Sequence, residues 1–416
     1  MKRNTTVHAG ARSPKCFAVW LQVGLLAALV SSSDVVSAQS SRIACTQSAL
    51  LAAVSAANAA GGGTITFNCT GITIPMTAGL DIQDNVVIDG EARNITLEYT
   101  TNFAGCATGN NGIDGPAIGH LSGHSSVVRN LTFKYFLESL QIIGPNNTVE
   151  RNIFLGHSCS DDAVSTIRVE ALNAVIRNNR IQSYKDKAFQ MNLGSGTIEG
   201  NTFIDAMQSI RGAYDNAQGG VFVIRSNVIK TTGDRSACTD VNFDGTYQIV
   251  FESNTLQCLR GLHVSGLTQA IVRNNIIEGN PRQGVLIGGS AVVSLSDNTI
   301  TNNGLSPGSD PAGGVVVWQN GRVDLGGGSL TINGQVVSSP GGNRLQTNGV
   351  ADVRNLRTAY TLKAENNCWD HQVVATIISQ DLEGSIDIDP FSTTCSGLAS
   401  PLSPANVRIV MHVPAP

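Results

Sequence analysis

A group of charged residues in the middle of the chain has the types and spacing to act on an acidic ligand. Asp161 and Asp162 are adjacent, and Lys187 and then Arg211 follow at similar intervals. Neighbouring carboxylates offer the hard oxygen ligands that Ca²⁺ prefers. Lys and Arg can neutralise a ligand carboxylate, and a deprotonated Lys can accept a proton. Only 14% of the residues are charged, so this mixed-sign group is the first candidate for a functional site.

An Asn followed by one residue and then an apolar residue recurs every 21 to 27 residues, which indicates the elements that position these charges. The ladder positions are Asn152, Asn179, Asn201, Asn227, Asn254, Asn275 and Asn298, continued after a gap by Asn343 and Asn367. An Asn at the same turn of successive coils tolerates the left-handed conformation and can stack its amide on the next Asn. These Asn residues are therefore predicted to be structural.

Short strand-like segments recur with the same period, among them 163–166, 188–191, 261–264, 284–287 and 314–317. Several short strands per repeat of this length are typical of a solenoid. The leucine frame of leucine-rich repeats is absent, and a chain with 44 Gly and few charges cannot be a helical bundle. The sequence predicts an all-β protein, a right-handed parallel β-helix with a short N-terminal capping helix.

The predicted boundaries follow from local composition. Residues 1–38 resemble a signal peptide and 39–63 an N-terminal cap whose helix covers 49–60 and ends at a Gly triplet. The β-helix is predicted over 64–395, and 306–342, rich in Gly, Ser and Pro, is expected to be an insertion or long turn. Residues 396–416 are expected to form a C-terminal tail.

Export is predicted from the leader and from the cysteines. Basic residues precede an apolar run at 16–30, and Val36-Ser37-Ala38 offers a cleavage site, with an uncleaved anchor as the alternative. We expect a secreted protein, periplasmic in a Gram-negative bacterium, without stable membrane association after cleavage. Eight of the nine Cys follow the leader, and short loop closures favour the pairs Cys45–Cys69, Cys238–Cys258 and Cys368–Cys395.

Aligning the coils predicts two outward columns of side chains. One contains Glu138, Asp162, Lys187, Gln208, Thr239, Arg260 and Gln283, and the other contains Gln141, Ser165, Gln190, Arg211, Asn242 and His263. Because adjacent coils are ~4.8 Å apart, Lys187 and Arg211 are expected to be about 5 Å apart at the backbone. A surface ladder of salt bridges is the alternative explanation for these charges.

The segments Ser160-Asp161-Asp162-Ala163, Asp186-Lys187-Ala188-Phe189-Gln190-Met191-Asn192 and Gln208-Ser209-Ile210-Arg211 resemble motifs of the pectate lyases of polysaccharide lyase family three. That resemblance implies a secreted, Ca²⁺-dependent β-helix that cleaves galacturonan by β-elimination. It implies that Asp161, Asp162 and Glu138 bind the metal, and that Lys187 and Arg211 are catalytic. Gln208 stands where the family has a lysine.

The chemistry of β-elimination defines the roles that these residues would take. Removing the proton on carbon five of a uronate is opposed by the neighbouring carboxylate, and Ca²⁺ or a cationic side chain relieves that cost. Physical chemistry favours Lys187 as the base and the resemblance favours Arg211, so the assignment stays open. Contacts to the sugar are expected from Gln190, Gln208, His263 and Lys185.

The predicted partner is therefore an acidic polysaccharide and the predicted state a monomer. The formal net charge of −4 without a basic run disfavours nucleic acid. Two other functions remain open, a polygalacturonase-like hydrolase using Asp161 and Asp162 and a non-catalytic glycan-binding or adhesin-like protein. A C5-epimerase is disfavoured because its Asp-Pro-His-Glu signature is absent.

Overall fold

The computed structural model describes residues 40–100, 118–136, 138–156, 165–182, 187–212, 218–233, 238–306, 308, 311–357 and 359–392. The predicted signal peptide and C-terminal tail lie outside these residues. The described chain is a right-handed parallel β-helix of about 13 turns, which confirms the predicted fold class. Each coil supplies one strand to each of three faces, and we number the faces in the order in which a coil visits them.

The three faces are parallel sheets whose strands pair with the coil above and below. The first face contains Leu80–Ile82, Gly119–Leu121, Leu140–Ile142, Ser165–Val169, Lys187–Met191, Gln208–Gly212, the first part of Asp240–Glu252, Leu262–Gly266, Gln283–Ile287, Gly313–Val317, Val353–Asn355 and Leu382–Glu383. The second face contains Ser40–Ile43, Gly63–Phe67, Val86–Asp89, Val127–Arg129, Thr148–Glu150, Ala174–Arg177, Gly196–Glu199, Gln218–Arg225, the last part of Asp240–Glu252, Gln269–Arg273, Val292–Ser296, Arg322–Asp324, Leu362–Lys363 and Ile386–Asp387. The third face contains Thr73–Met76, Ile95–Tyr99, Leu131–Lys134, Ile153–Leu155, Arg180–Gln182, Thr202–Ile204, Val228–Lys230, Thr255–Gln257, Ile276–Glu278, Thr299–Thr301, Arg344–Gln346 and Cys368–Trp369.

The predicted Asn ladder lies at the turn between the second and third faces, and its amides form one continuous chain. The backbone N–H and side-chain Nδ2 of each Asn donate to Oδ1 of the next, from Asn152 to Asn367. Each Nδ2 also donates to a backbone carbonyl. For example, Nδ2 of Asn227 donates to the carbonyl oxygen of Ile198 at 2.9 Å. The left-handed residue is the one before the ladder Asn, for example Asn178 (φ 56°), and not the ladder Asn itself.

The interior of the solenoid is filled by equivalent apolar residues from successive coils. On the third face one inward column runs through Leu97, Phe133, Phe154, Ile181, Phe203, Ile229, Leu256, Ile277, Ile300, Leu345 and Trp369, none more than 1% exposed. The rings of Phe133 and Phe154 stack with centroids 4.9 Å apart. Because a coil cannot bury these residues alone, each coil depends on its neighbours.

The N-terminal end of the core is covered by a strand and a helix. The strand Ser40–Ile43 pairs in parallel with Gly63–Phe67. The helix Gln47–Ala59 begins where the Thr46 hydroxyl accepts the N–H of Ala49, and it buries Leu50, Val54 and Ala57. The following Gly61 (φ 73°) and Gly62 (φ 141°) take left-handed conformations that end the helix.

The Gly-rich segment at 306–342 belongs largely to the solenoid. It supplies Gly313–Val317 to the first face and Arg322–Asp324 to the second. An antiparallel hairpin, Ser329–Ile332 with Gln335–Ser338, then extends from the coil. Asn343 still accepts hydrogen bonds from Asn298 across 45 residues, so the ladder is continuous in space.

The cysteine predictions are supported where the structure describes them. Cys45 pairs with Cys69, and Cys238 pairs with Cys258. Cys368 is also disulfide-bonded, and its predicted partner Cys395 lies outside the described residues.

Near the C-terminal end the chain forms a short α-helix, Val374–Thr376, and a π-helical turn, Ile377–Asp381. Among the described residues, no helix is long and apolar enough to span a membrane.

Replacing one ladder residue tests how strongly the Asn stack holds the coils together. Asn227→Ala should lower the free energy of unfolding by roughly 2–4 kcal/mol, because it removes the acceptor of two Asn201 donors and leaves the Ile198 carbonyl without its amide donor. Urea unfolding gives the change. Gln335→Ala, on the exposed hairpin strand, is the control, and an equal loss in both variants would contradict the prediction.

Candidate functional site

The strand register of the first face aligns the described site candidates in two columns, although Ser165, Lys187 and Asn242, which were predicted to point outward, are at most 5% exposed. Ser165, Lys187, Gln208 and Asp240 are successive partners, and we call them the edge column. Gln141, Arg168, Gln190, Arg211, Asn242 and His263 are likewise successive partners, and we call them the central column. This register differs from the sequence alignment at Ser165, which lies in the edge column, and Arg168 takes its place.

Lys187 and Arg211 lie on adjacent coils but in different columns. Lys187 is the register partner of Gln208, and Arg211 is the partner of Gln190, three residues further along the strand. One coil step of ~4.8 Å and three residues of ~3.3 Å place their backbones on the order of 11 Å apart rather than the 5 Å expected. Both side chains are long, so they can reach one sugar residue only by converging on it.

The expected metal ligands are only partly described by the structure. Asp161, Asp162 and the substrate candidate Lys185 lie outside the described residues, so their positions stay predictions. Glu138 is described, and its Oε1 lies 3.0 Å from Nε of Arg168, whose Nε is also 3.3 Å from Glu170. The Glu138 carboxylate is therefore already paired with Arg168, which was not among the residues predicted at this site.

Arg211 is positioned by the residue that departs from the family motif. Its Nη1 donates to Oε1 of Gln208 at 2.7 Å. A lysine at position 208 would repel the guanidinium, whereas Gln208 accepts a hydrogen bond from it. With Gln208 in place of the family's lysine, this face has one positive charge fewer, and the hydrogen bond fixes the orientation of Arg211.

A hydrogen-bond network fixes polar side chains in and beside the central column. Nε2 of Gln190 donates to Oδ1 of Asn192 at 2.6 Å, and Nδ2 of Asn192 donates to Glu170 at 2.9 Å. Glu170 also accepts Nε2 of Gln141 at 3.1 Å. Gln190 is thus held on the surface where the sequence predicted a sugar contact.

Asp240 is a buried carboxylate at the start of a first-face strand. It is 2% exposed, its Oδ1 accepts no hydrogen bond from the described residues, and Nη1 of Arg260 lies 4.0 Å from Oδ2. Burial raises the pKa of Asp240 to about 6, although Arg260 and Arg211 lower it. A carboxyl group with this pKa can exchange a proton near neutral pH.

His263 continues the central column beyond Asn242. Its register partner is Asn242, which is 4% exposed. Burial lowers the pKa of His263, Arg260 lowers it further, and Asp244 opposes both. A neutral imidazole is consistent with a hydrogen-bonding contact to sugar rather than with a charge on the ligand.

Buried oxygens without a donor are concentrated on this surface. Within the described ranges, a buried side-chain oxygen has no hydrogen-bond partner in Ser139, Thr166, Asp240, Asn242, Gln283 and Asp352. All six belong to first-face strands or directly precede one. Burying an acceptor without a donor costs free energy, so such a group calls for an explanation such as a ligand.

The second face shows the arrangement that a purely structural charge ladder takes. Its outer column alternates in sign through Asp89, Arg129, Glu150, Arg177, Glu199, Arg225, Glu252 and Arg273. Neighbours form ion pairs, as Arg225 and Glu199 do at 2.6 Å. The second face therefore contains a salt-bridge ladder of the kind considered for Lys187 and Arg211.

Sequence reasoning did not identify Arg168 or Asp240 as site residues. Asp240 was missed because the strand pair Gln208–Gly212 and Asp240–Glu252 contains a register shift between Gln208 and Ile210. That irregularity moves the edge position from Thr239 to Asp240, and a regular period-two alignment cannot detect it. Arg168 was missed because the sequence alignment placed Ser165, three residues earlier, opposite Gln190.

Comparisons with known proteins report similarity in fold. A family model described as a right handed beta helix region matches residues 214–330. No curated protein matches the sequence. Among solved structures, the Dettilon tailspike protein is 15% identical, with 82% of this chain and 64% of that chain covered and a TM-score of 0.50.

Two further structures are A-modules of mannuronan C-5 epimerases from Azotobacter vinelandii. AlgE6 is 15% identical with a TM-score of 0.40, covering 85% of this chain and 95% of that one. AlgE4 is 13% identical with a TM-score of 0.44, covering 83% of this chain and 95% of that one. At these identities the chain resembles the solved structures in fold alone.

The raised pKa of Asp240 predicts a pH dependence of stability. Its folded pKa of about 6 exceeds the ordinary 3.8, so the folded chain binds the proton more tightly and the free energy of unfolding falls as pH rises from about 4 to above 6. Asp240→Asn removes the charge. Its stability relative to the parent should therefore be greater at pH 7 than at pH 4, by on the order of 3 kcal/mol.

Urea unfolding of both proteins at the two pH values measures this difference. Asp84→Asn, which replaces a half-exposed carboxylate that pairs with His124, is the matched control and should show no change of this size. The same relative stability of Asp240→Asn at both pH values would show that the buried carboxyl group has an ordinary pKa.

Proposed function

We propose that this protein is a polysaccharide lyase that cleaves a uronate polymer, such as pectate, on the first face of the β-helix. The observation that carries the proposal is the combination of buried acceptor oxygens without donors and cationic side chains on one surface. Sugar hydroxyls would donate to the oxygens of Asp240, Asn242 and Gln283 once these buried side chains turn toward the surface. One of the two cations, Arg211 or Lys187, would pair with the uronate carboxylate.

The reaction proposed here is a β-elimination. A base removes the proton on carbon five, the electron pair forms the double bond between carbons four and five, and the bond from carbon four to the glycosidic oxygen breaks. The leaving oxygen must gain a proton. Asp240, with a pKa of about 6, is suited to supply it near neutral pH.

Lys187 and Arg211 divide the remaining roles. One takes the proton from carbon five, and the other stabilises the charge that develops on the uronate carboxylate. Gln208 holds Arg211 through the 2.7 Å hydrogen bond, which favours a fixed electrostatic role for Arg211 and proton transfer by Lys187. The resemblance to family three favours the opposite assignment.

Ca²⁺ is proposed as the cofactor, held by Asp161 and Asp162 with Glu138 as a third carboxylate. When bound, the ion would reduce the cost of placing negative charge on the uronate carboxylate. Glu138 fits less well than the two aspartates because Arg168 already pairs with it. Secretion, which the disulfides favour, and a monomeric state complete the proposal.

Activity on a uronan tests the proposed function directly. The mature chain is incubated with polygalacturonate, with Ca²⁺ or with a chelator, and the absorbance of the unsaturated product is followed. We expect absorbance to rise only with Ca²⁺. New reducing ends without unsaturation would indicate the hydrolase, and binding without any product would indicate the glycan-binding protein.

Substitutions of Lys187 and Arg211 should then distinguish a catalytic role from a purely structural one. Lys187→Met and Arg211→Ala should each lower turnover ~10²-fold or more, the usual scale for a general base or a fixed electrostatic group. The controls are Lys230→Met on the third face and Arg225→Ala in the second-face ladder. Lys187 is only 5% exposed, so melting temperatures are measured alongside, and equal losses of activity and stability would contradict a catalytic role.

Loss of one aspartate should weaken the proposed Ca²⁺ site. Asp162→Asn should lower Ca²⁺ affinity at least ~10-fold, because one charged ligand is removed. Calorimetric titration of Ca²⁺ into the parent and the variant measures this. Unchanged affinity would place the ion elsewhere or remove it from the mechanism.

A further inference from the structure

Three aspartates form a cluster at the C-terminal end of the solenoid, far along the chain from the proposed catalytic residues. Asp352 directly precedes the first-face strand Val353–Asn355, Asp370 follows Cys368–Trp369, and Asp381 precedes Leu382–Glu383. The backbone N–H of Asp352 donates to the carbonyl of Asp381 at 2.8 Å. The cluster therefore joins two consecutive coils.

The carboxylates converge on one point. One oxygen from each of Asp352, Asp370 and Asp381 lies within 4.8 Å of the others. Asp352 is 2% exposed and Asp381 is 4% exposed, whereas Asp370 is exposed. The point is thus enclosed by protein on one side and open to solvent at Asp370.

Asp352 points to a missing partner in this cluster. Its Oδ1 accepts Nδ2 of Asn348 at 2.7 Å, but its Oδ2 is buried and accepts no hydrogen bond from the described residues. Asn348 is the last member of a second amide ladder that runs from Asn280 through Asn303. The Asp352 carboxylate thus lies at the end of a ladder of neutral amides. One of its oxygens accepts a hydrogen bond from that ladder, and the other has no donor.

The remaining contacts orient the cluster without neutralising it. Nδ1 of His371 lies 2.8 Å from Oδ1 of Asp381, and the backbone N–H of Thr347 donates to Asp370. Within the described ranges, the salt bridge from His371 is the one ion pair made to these carboxylates. Three carboxylates thus lie together with one possible ion-pair partner, His371, among the described residues.

We propose that Asp352, Asp370 and Asp381 bind a divalent cation of the Ca²⁺ class. Three carboxylates are a hard oxygen set, and oxygens within 4.8 Å of one another suit Ca–O bonds of ~2.3–2.6 Å around a shared ion. His371 then acts as an outer partner that orients Asp381, as such partners commonly do for metal ligands.

A cation at this position would stabilise the C-terminal end of the β-helix. It would connect the coil of Asp352 and Asp370 to the coil of Asp381, next to the last strands of the described solenoid. Terminal coils have a neighbour on one side only, so they gain most from an added link. The proposed role is structural and does not depend on the lyase function.

Calorimetric titration of Ca²⁺ into the chelator-treated full chain tests the site. Asp370→Asn is the main variant because Asp370 is exposed and its loss does not disturb the core, and Asp352→Asn is the second. Each should lose one Ca²⁺ per chain or weaken one site at least ~10-fold. Each should also lose the rise in melting temperature that Ca²⁺ gives the parent. Asp84→Asn is the matched control.

The outcomes separate this site from the proposed catalytic one. Loss of a bound Ca²⁺ in Asp370→Asn with retained activity supports the inference whether or not the lyase proposal holds. The inference is overturned if the parent binds no Ca²⁺, or if Asp370→Asn and the parent bind it with the same stoichiometry, affinity and thermal shift. It is also overturned if all bound Ca²⁺ disappears in Asp162→Asn alone.

Discussion

The hydrogen bonding of each coil to the next in a fixed register is the constraint on which the rest of the structure depends. Parallel strand pairing brings residues more than twenty positions apart in sequence to ~4.8 Å in space. The amide ladder from Asn152 to Asn367 adds a second set of bonds at one turn, and it requires each coil between these two residues to place an Asn at the same position. Any slip by one residue would move the inward column of Phe154 and its equivalents to the surface. Because the register is fixed, residues scattered along the chain become columns, and a column can serve as a binding surface.

The three faces use the same geometry for different purposes. On the second face, opposite charges alternate from coil to coil and pair with one another, as Glu252 and Arg273 do at 2.6 Å. On the first face, acceptors such as those of Asp240 and Asn242 are buried without a donor. Burying unsatisfied polar groups lowers the free energy of unfolding, and the first face contains such groups. A ligand whose hydroxyls donate hydrogen bonds to these oxygens would remove that penalty. At the C-terminal end, Asp352 likewise has a buried oxygen without a donor. The amide ladder that ends at Asn348 next to it has its amides hydrogen-bonded.

The sequence was sufficient for features that depend on period and on residue type. The Asn spacing predicted the ladder and the coil architecture, and the spacing of Cys238 and Cys258 predicted their disulfide. The hairpin could have been predicted from Asn333-Gly334, a favoured hairpin turn in which both residues are left-handed. The position of Asp240 could not, because a register shift in the neighbouring strand is set by three-dimensional pairing. The Asp352, Asp370 and Asp381 cluster also escapes sequence reasoning, since its members join only when two coils stack.

The proposed function depends on the binding of an acidic polysaccharide to the first face. Hydrogen exchange of the backbone amides, measured with and without a uronan oligosaccharide, reports the location of binding independently of catalysis. Bound oligosaccharide should slow exchange in Ser165–Val169, Lys187–Met191, Gln208–Gly212 and the first part of Asp240–Glu252, with the second and third faces unchanged. Protection confined to the second or third face, or no protection with any uronan, would contradict binding at the first face.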